Sequence, residues 1–201
     1  MIEFKNVSKK LGDHQIFDAL NLVIPDREII GISGPSGVGK TTFLNLCAGL
    51  MVPDSGEVCG IKAGDVSCVF QEDRLLPWQT VMENITFVLK KENPREIQKV
   101  LSMVGLTGQE ETYPKALSGG MRKRVAIARA FCYPSRLLLM DEPFGSLDVA
   151  LKNQIMDDFI TLWQAHPRTV IFISHDIREL KRICDQILVF KGRPVQVQKL
   201  F

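Results

Sequence analysis

Residues 29–42 read IIGISGPSGVGKTT, an apolar segment followed by a glycine-rich loop. The loop fits the pattern G-x-x-x-x-G-K-[ST] and lies between a predicted buried strand, residues 28–33, and a predicted helix from Thr41 to Leu50. Glycines let such a loop curl, so that successive N–H groups and the helix N-terminus face the β- and γ-phosphates of a nucleotide. The pattern therefore predicts a phosphate-binding loop in an α/β fold.

The same loop carries the side chains that nucleotide chemistry needs. Lys40 supplies a positive charge to the phosphates, and the Thr41 hydroxyl is a ligand for Mg²⁺. The alternative is a plain glycine-rich turn, and the strand before the loop and the helix after it argue against that alternative. The residues expected to bind the nucleotide here are Gly34, Pro35, Ser36, Gly37, Val38, Gly39, Lys40, Thr41 and Thr42.

The apolar pattern on either side of the loop predicts further elements. Residues 2–7 and 16–24 alternate as strands do, and short strands are expected near Val58 and at 66–70. Residues 79–132 instead carry three or four helix-like segments separated by proline and glycine, with no convincing strand. This middle block is therefore predicted to be a helical insertion.

The last third of the chain alternates between strands and helices. The predicted strands are 137–141, 169–174 and 186–191, and the predicted helices are 149–165 and 177–184. This βαβ order implies a parallel sheet covered by helices. We expect an α/β fold with a P-loop NTPase core, a mostly parallel sheet, an N-terminal antiparallel β layer and an inserted helical subdomain, roughly residues 72–132, in a single domain spanning 1–201.

Composition excludes several classes of protein. With 201 residues, 45% hydrophobic and 24% charged, the chain matches an ordinary soluble globular protein. Its 25 basic and 23 acidic side chains give a net charge of +2, which does not indicate nucleic-acid binding. Five cysteines without a C-x-x-C pair argue against disulfides and zinc, and the apolar runs are too short to cross a bilayer. We expect reduced cysteines in a cytosolic protein.

Two acidic residues follow the predicted buried strand at 137–140. Asp141 and Glu142 would lie at the carboxyl edge of the sheet, where open α/β sheets bind their ligands. Asp141 would hold Mg²⁺ through its water shell, and Glu142 would polarise the attacking water as a general base. The alternative is a strand that ends in a solvated turn, and the phosphate-binding loop upstream favours the catalytic interpretation.

A third motif, LSGGM at residues 117–121, precedes a helix-like segment, Arg122 to Phe131. Ser118 before a helix is explained by ordinary N-capping. The two glycines after it weaken a helix start, which favours a close approach of the backbone to a ligand. Together with the phosphate-binding loop and Asp141-Glu142, this stretch resembles the signature motif of ABC ATPases.

The resemblance covers nearly the whole chain and implies further site residues. Gln71 matches the Q-loop glutamine, which contacts Mg²⁺ and the attacking water, so the implied metal set is Thr41, Gln71 and Asp141. Residues 146–148, Ser-Leu-Asp, match the D-loop that crosses a dimer interface. His175 matches the switch histidine that reaches the γ-phosphate, although a purely structural histidine is the ordinary alternative. The residues implied to bind nucleotide besides the loop are Leu11, Ser118, Gly119, Gly120 and Asp148.

Two positions depart from the family pattern. Members usually carry an aromatic residue that stacks on adenine where this chain has Leu11, which can cover the base only by apolar contact. Phe17 is the alternative if the loop is folded differently. The signature ends in Met121 rather than the usual glutamine, and we expect this to be tolerated because the phosphate contacts belong to Ser118 and the glycine backbone.

Three stretches resemble ATPases of nitrate, sulfonate and taurine importers, or importers of a related small solute. They are residues 75–84, residues 141–148, and Arg193-Pro194 after the last main strand. An apolar group in the first stretch, Leu75, Leu76 and Trp78, is explained either by local packing or by a docking groove for a permease helix. Many relatives continue beyond the position of Phe201, so a minimal or shortened member is expected.

The resemblance implies a transporter subunit that binds Mg²⁺ and ATP and works as a pair. Two copies, or this chain and a second ABC ATPase, would face head to tail, with each ATP between residues 34–42 of one copy and 118–120 of the other. The implied partners are two permeases and, indirectly, a solute-binding protein, which places the chain on the inner face of the cell membrane. The alternatives are a soluble mechanical ABC ATPase acting on nucleic acid or the ribosome, and a P-loop kinase or GTPase, which would not need residues 117–121.

Overall fold

The computed structural model describes residues 1–89, 93–145 and 147–200 of the chain. Its strands are β1 (Ile2–Leu11), β2 (His14–Ile24), β3 (Ile29–Ser33), β4 (Ser55–Cys59), β5 (Val66–Val69), β6 (Leu137–Asp141), β7 (Thr169–Ile173), β8 (Gln186–Lys191) and β9 (Gln196–Lys199). Its helices are α1 (Lys40–Cys47), α2 (Val81–Thr86), α3 (Pro94–Met103), α4 (Gly119–Cys132), α5 (Val149–Ala165) and α6 (Ile177–Ile183), with short 3₁₀ turns at Ala63–Asp65 and Pro114–Ala116.

The chain folds into two compact units. Unit 1 comprises Met1–Val66, Arg136–Glu142 and Arg168–Phe201, and unit 2 comprises Ser67–Ser135 and Pro143–Pro167. The expectation of one domain with a helical insertion at 72–132 stays a prediction. Unit 2 contains the predicted helical block and also α5. Between these two parts of unit 2, the chain passes through unit 1 at Arg136–Glu142.

Unit 1 is built around a mainly parallel sheet. Four strands lie in the order β6, β7, β3 and β8, all parallel, and β9 continues this order antiparallel to β8. Every residue of β7, and all but the last residue of β3 and of β6, is buried, as expected for parallel strands with apolar side chains on both faces. Because the strands are parallel, the residues that follow β3, β6 and β7 leave the sheet at one edge. This edge positions the candidate site.

An aromatic cluster joins the other elements of unit 1. The antiparallel sheet has the order β2, β1, β4, and Phe4 of β1 stacks on Phe43 of α1 with ring centroids 4.7 Å apart. The ring of Phe43 also lies edge-on to Phe190 of β8 at 5.3 Å. All three rings are buried, so α1 is fixed by aromatic contacts to both sheets. The orientation of the loop that precedes α1 depends on this packing.

Unit 2 is a helical unit in which α4 contacts α2, α3 and α5. Phe131 of α4 meets Phe159 of α5 at 5.7 Å, with nearly perpendicular rings. The buried face of α4 is mostly aliphatic and includes Val125 and Ile127. It also contains Lys123, a buried cation whose partners belong to the candidate site.

The predicted fold class is confirmed, with specific differences at element ends. β6, β8 and α5 have the predicted bounds, whereas α4 begins at Gly119 rather than near Arg122. The strand β9 was not predicted. All five cysteines are free, and two of them, Cys47 and Cys184, are buried. Within the described residues, no helix combines the length and apolar character that a bilayer crossing requires.

Candidate functional site

The loop at residues 34–39 takes a course that its glycines permit. A Cβ added to Gly34 would lie 2.6 Å from the carbonyl oxygen of Phe190, too close for any other residue. Gly39 has φ +123°, and an added Cβ would lie 2.6 Å from Cγ2 of Ile16. Both glycines are therefore required by contacts within unit 1, in addition to any ligand.

Helix α1 begins at this loop with its N-terminus open. Gly39 is the N-cap, and in the described structure neither a side-chain cap nor an acidic residue of the first turn satisfies the N–H groups there. The Lys40 ammonium turns back over the loop and donates to the carbonyls of Gly34 at 2.8 Å and Pro35 at 3.1 Å. Free N–H groups, the helix dipole and a cation at one place are the features that bind phosphate.

Asp141 and Glu142 leave the same edge of the sheet at the end of β6. Asp141 is half-buried, and burial, followed by the neighbouring charge of Glu142, raises the pKa of its carboxyl, which Lys40 opposes. The ionised form is therefore disfavoured on balance, because the Lys40 charge offsets only part of the cost of burial and of the Glu142 charge. Glu142 has φ +46°, which is uncommon outside glycine, and its N–H donates to the carbonyl of Ile173 at 3.1 Å.

His175 lies next to Glu142 in the structure. Its Nδ1 is 3.4 Å from Oε2 of Glu142, and its side chain is 69% exposed. The preceding residue, Ser174, is buried and donates through Oγ to Oε2 of Glu179 at 2.6 Å. The same Oγ accepts from the backbone N–H of Asp176 at 3.0 Å. The hydrogen bonds of Ser174 thus fix the turn that carries His175, while the imidazole is exposed to solvent.

The donor set of this edge suits Mg²⁺ held together with phosphate oxygens. Thr41, at the second position of α1, offers a hydroxyl, and Asp141 offers a carboxylate. Across the described ranges there is no group of three or more His, Cys, Asp or Glu side chains placed to hold a metal ion. Magnesium keeps several waters and is bound through one or two carboxylates plus substrate phosphates, so the residues present fit that mode.

The signature residues lie at the start of α4 in unit 2. Ser118 is the N-cap, and its Oγ accepts from the N–H of Met121 at 3.2 Å, so the ordinary capping interpretation holds. An added Cβ on Gly120 would lie 2.5 Å from Cδ2 of Leu151, so a larger residue here would displace that side chain, and packing against α5 already favours this glycine. Gly119 is exposed, and among the described residues its added Cβ would meet only Arg122, at 3.7 Å. Of the two glycines, only Gly119 therefore still supports a close approach of the backbone to a ligand.

The segment around Gln71 is held by a residue that the sequence interpretation missed. The Lys123 ammonium donates to the carbonyls of Phe70 at 3.0 Å and Gln71 at 2.8 Å, and lies 2.7 Å from Oδ1 of Asp73. Lys123 is 1% exposed. Its spacing from Ile127 places it on the apolar face of α4, and a charge on such a face needs a partner. This spacing is the sequence signal that could have identified Lys123 as a buried residue with an acidic or carbonyl partner.

The segment also forms one wall of a cavity of about 610 Å³ in unit 2. Its lining residues are Gln71, Glu72, Asp73, Gly119, Arg122, Lys123 and Leu147. The side chain of Gln71 is exposed, while its backbone carbonyl is bound by Lys123. Residues predicted from the Q-loop and from the signature motif are therefore brought together within this unit.

Asp148 has a local structural role in unit 2. It is the N-cap of α5, and its Oδ1 accepts from the N–H of Leu151 at 3.0 Å. The side chain is exposed. Its predicted neighbour in the D-loop, Ser146, lies outside the described residues. The role of Asp148 at a dimer interface stays a prediction, because capping α5 already explains this residue.

The two candidates for covering adenine differ in accessibility. Leu11 pairs with His14 at the tip of the β1–β2 hairpin and is 42% exposed. Phe17 is fully buried, with its ring 6.3 Å from Phe43 and 6.2 Å from Phe190. The alternative in which Phe17 reaches the base is therefore wrong, because the ring is part of the core. Leu11 stays the prediction.

The apolar group near residue 76 is explained partly by local packing. Leu75 and Leu76 are half-buried, whereas Trp78 is 71% exposed. The loop is braced by buried Asn84, whose amide donates to the carbonyls of Leu76, Gln79 and Thr80 and accepts from the N–H of Leu76. Trp78 is thus presented to solvent on a well-hydrogen-bonded loop.

Comparisons with known proteins agree with this geometry. The family model described as ABC transporter matches residues 17–145. A putative ATP-binding protein of Brucella abortus strain 2308 is 40% identical over 99% of this chain and 81% of its own length. An aliphatic sulfonates import ATP-binding protein of Pseudomonas fluorescens strain Pf0-1 is 36% identical over 95% of this chain and 74% of its own length.

A solved structure supports the fold independently. It is cbiO1 from Clostridium perfringens, described as part of the ABC transporter complex cbiONQ. It matches with a TM-score of 0.86 at 24% identity, covering 98% of this chain and 86% of that one. At this level of identity the likeness concerns the arrangement of helices and strands.

Proposed function

This chain belongs to the ABC transporter family and is an ATP-binding, ATP-hydrolysing transporter subunit, and from that premise we propose that it powers an importer of the nitrate, sulfonate or taurine type, or of a related small solute. The solute class is supported by relatives named as aliphatic sulfonate import proteins, at 36% and 37% identity. Selectivity for the solute would belong to the permeases and the solute-binding protein, which are other chains.

The observation that carries the ATP hydrolysis on which the proposal rests is the convergence of reacting groups at one edge of the parallel sheet. The loop and Lys40 follow β3, Asp141 ends β6 with Glu142 directly after it, and His175 follows β7. Lys40 and the N–H groups of the loop bind the phosphates of ATP. When bound with ATP, Mg²⁺ would neutralise phosphate charge; Thr41 and Asp141 are the residues of unit 1 that would hold it, and Gln71 is added by resemblance.

Glu142 is proposed to take the proton from the attacking water. Its carboxylate is 30% exposed, so water reaches it, and the left-handed backbone conformation fixes where the side chain leaves the sheet. His175 lies within 3.4 Å of the carboxylate and orients it, and its exposed imidazole is free to meet the γ-phosphate. The anchor through Ser174 and Glu179 holds this histidine in place.

We further propose that the protein works as a pair on the inner face of the cell membrane. The exposed Ser118 and Gly119 would contact the ATP bound to a second copy or to a second ABC ATPase, and Asp148 would lie near the same interface. Closure and release of the pair would be passed to two permeases, and a solute-binding protein would deliver the solute. The exposed Trp78 is the side chain we assign to permease contact.

The first test is Lys40→Ala, with binding of ATP as the readout. We expect tight ATP binding to be lost, because Lys40 is the only side-chain cation inside the loop sequence itself. Lys5→Ala is the matched control, since Lys5 is a half-exposed lysine of unit 1 that pairs with Glu3 and Glu57 on the antiparallel sheet. Unchanged ATP affinity in Lys40→Ala would contradict the site assignment.

The solute is tested with the native complex. We expect the chain to copurify from membranes with two permease subunits, and ATP hydrolysis by the reconstituted complex to rise with sulfonates, taurine or nitrate and their binding protein. Copurification with ribosomes or nucleic acid in place of permeases would contradict the transport role. Stimulation only by a chemically unrelated solute would leave the ATPase role intact and overturn the solute class.

A further inference from the structure

Arg193, which follows β8, contacts the phosphate-binding loop directly. Its guanidinium donates through Nη2 to the carbonyl of Gly37. The two residues are 156 positions apart in sequence, so the contact follows from the fold: β8 lies beside β3 in parallel, and both strands end at the edge where the loop begins.

The segment that carries Arg193 is fixed in place. The N–H of Val195 donates to the carbonyl of Ile16 at 2.8 Å, and Val195 itself is buried. Gly37 has φ +73°, and an added Cβ would lie 3.0 Å from Nη2 of Arg193. The guanidinium therefore lies close against the loop tip, while the side chain as a whole is exposed.

The charge of Arg193 has no acidic partner within the part of the chain that the structure describes. Its single hydrogen bond there is to a neutral carbonyl, which does not compensate a full positive charge. Lys40 likewise donates its hydrogen bonds to neutral loop carbonyls, and the charge of Asp141 acts on it as well. Two cations thus flank a loop whose N–H groups bind phosphate, one within the loop sequence and one from the end of β8. Guanidinium is well suited to phosphate oxygens.

We propose that Arg193 is a nucleotide-binding residue whose guanidinium supplies a second positive charge to the phosphates held at the loop. The inference rests on the proposed ATP-binding function of the loop and deepens it. Since each additional phosphate adds negative charge near the loop tip, Arg193 strengthens the binding of ATP more than that of ADP, and leaves adenosine unaffected. Its contribution falls as salt rises, because the side chain is exposed to solvent.

The experiment separates the charge of Arg193 from its hydrogen bond. Arg193→Gln keeps a donor for the Gly37 carbonyl and removes the charge, whereas Arg193→Lys keeps the charge. Arg136→Gln is the matched control, because Arg136 is an exposed arginine of unit 1 that donates to the carbonyl of another glycine, Gly60, and lies at the start of β6, at the opposite end of that strand from Asp141. The full chain is titrated with ATP, ADP and adenosine in EDTA at low and high salt.

We expect Arg193→Gln to weaken ATP binding about fivefold at low salt, the effect of roughly one exposed ion pair, with a smaller loss for ADP and none for adenosine. The loss should shrink at 1 M salt, and Arg193→Lys should keep most of the affinity. Equal affinities of wild type and Arg193→Gln for ATP would overturn the proposal, as would a loss that is the same for ATP and adenosine. If Lys40→Ala also binds ATP with the wild-type affinity, the proposed ATP-binding function is wrong. If Lys40→Ala loses ATP binding and Arg193→Gln keeps the wild-type affinity, only the inference about Arg193 is wrong.

Discussion

At the scale of single residues, Glu142 combines an unusual backbone with a reactive side chain. A φ of +46° costs free energy for a residue with a Cβ, and the hydrogen bond from its N–H to Ile173 holds it there. The conformation directs the carboxylate toward His175. A residue held in this way is placed for chemistry at the expense of local stability.

We expect Glu142→Gln to keep ATP binding and lose hydrolysis. Glutamine preserves size and hydrogen bonding but cannot take a proton from water, so turnover should fall about 10²–10⁴-fold, the usual contribution of a positioned base. ATP should then remain uncleaved and hold two copies together, seen as a dimer on a sizing column with Mg²⁺ and ATP. Hydrolysis at the wild-type rate, or no dimer under these conditions, would contradict the role of Glu142.

Asp141→Asn should make the ligand-free protein more stable in a pH-dependent manner. Burial and Glu142 raise the pKa of the Asp141 carboxyl, so the wild type loses stability as pH rises through that pKa, and an amide does not. Thermal unfolding should show the two proteins melting alike in acid and the variant melting at a higher temperature near neutral pH. Adding Mg²⁺ and ATP should stabilise the wild type more than the variant. Identical melting at every pH would show that Asp141 carries no such cost.

At the scale of elements, α4 connects two predicted motifs within unit 2. Its N-terminus carries Ser118 and Gly119, and one turn later Lys123 binds the backbone around Gln71. Arg129 adds hydrogen bonds to the carbonyls of Asp73 and Arg74. The backbone of this segment is therefore fixed by the same helix that presents the signature residues, so a shift of one requires a shift of the other.

We expect Lys123→Met to lower the free energy of unfolding by about 3 kcal/mol, because it leaves Asp73 and two carbonyls without their shared cation. Denaturant unfolding measures the loss, and adding Asp73→Asn should restore part of it. Arg122→Met is the control, since Arg122 is 40% exposed and 3.6 Å from Asp73, and should cost about 0–1 kcal/mol. A loss no greater than that of the control would mean that Lys123 contributes by packing alone.

Elements were predictable from the sequence where their ends carry a clear signal. β6 and β8 are apolar runs bounded by polar residues, so their limits were correct. β9 was missed because Gln196–Lys199 is a polar strand that reads as a loop. The start of α4 was misplaced because two glycines weaken a helix on propensity, whereas Ser118 caps it and Gly120 packs on Leu151.

At the scale of the whole molecule, the predicted site residues come from both compact units. Lys40 and Glu142 belong to unit 1, and Gln71 and Ser118 belong to unit 2. The phosphate-binding loop could be recognised because its chemistry is contiguous in sequence. The contacts of Lys123 with Gln71 and of Arg193 with Gly37 span 52 and 156 positions, and local spacing gives no sign of such pairs.

The paired arrangement is tested with a mixture of two inactive variants. Ser118→Arg should leave nucleotide binding intact yet stop turnover, because Ser118 is proposed to contact ATP only across the interface. In a mixed pair with Lys40→Ala, one composite site carries both changes and the other carries neither. We expect ATP hydrolysis to reappear at about half the wild-type rate per mixed pair, if the two sites act independently. A mixture with no activity at all would rule out this geometry or the independence of the sites.

The exposed Trp78 on its Asn84-braced loop also makes the protein its own optical reporter. The chain has two tryptophans, and the other, Trp163, is half-buried in α5. In a Trp163→Phe variant the remaining indole should emit at long wavelength and be quenched readily by iodide, because 71% of its surface meets water. Contact with a permease would shift the emission to the blue and protect it from iodide, so docking on this loop can be followed in real time without attaching a dye.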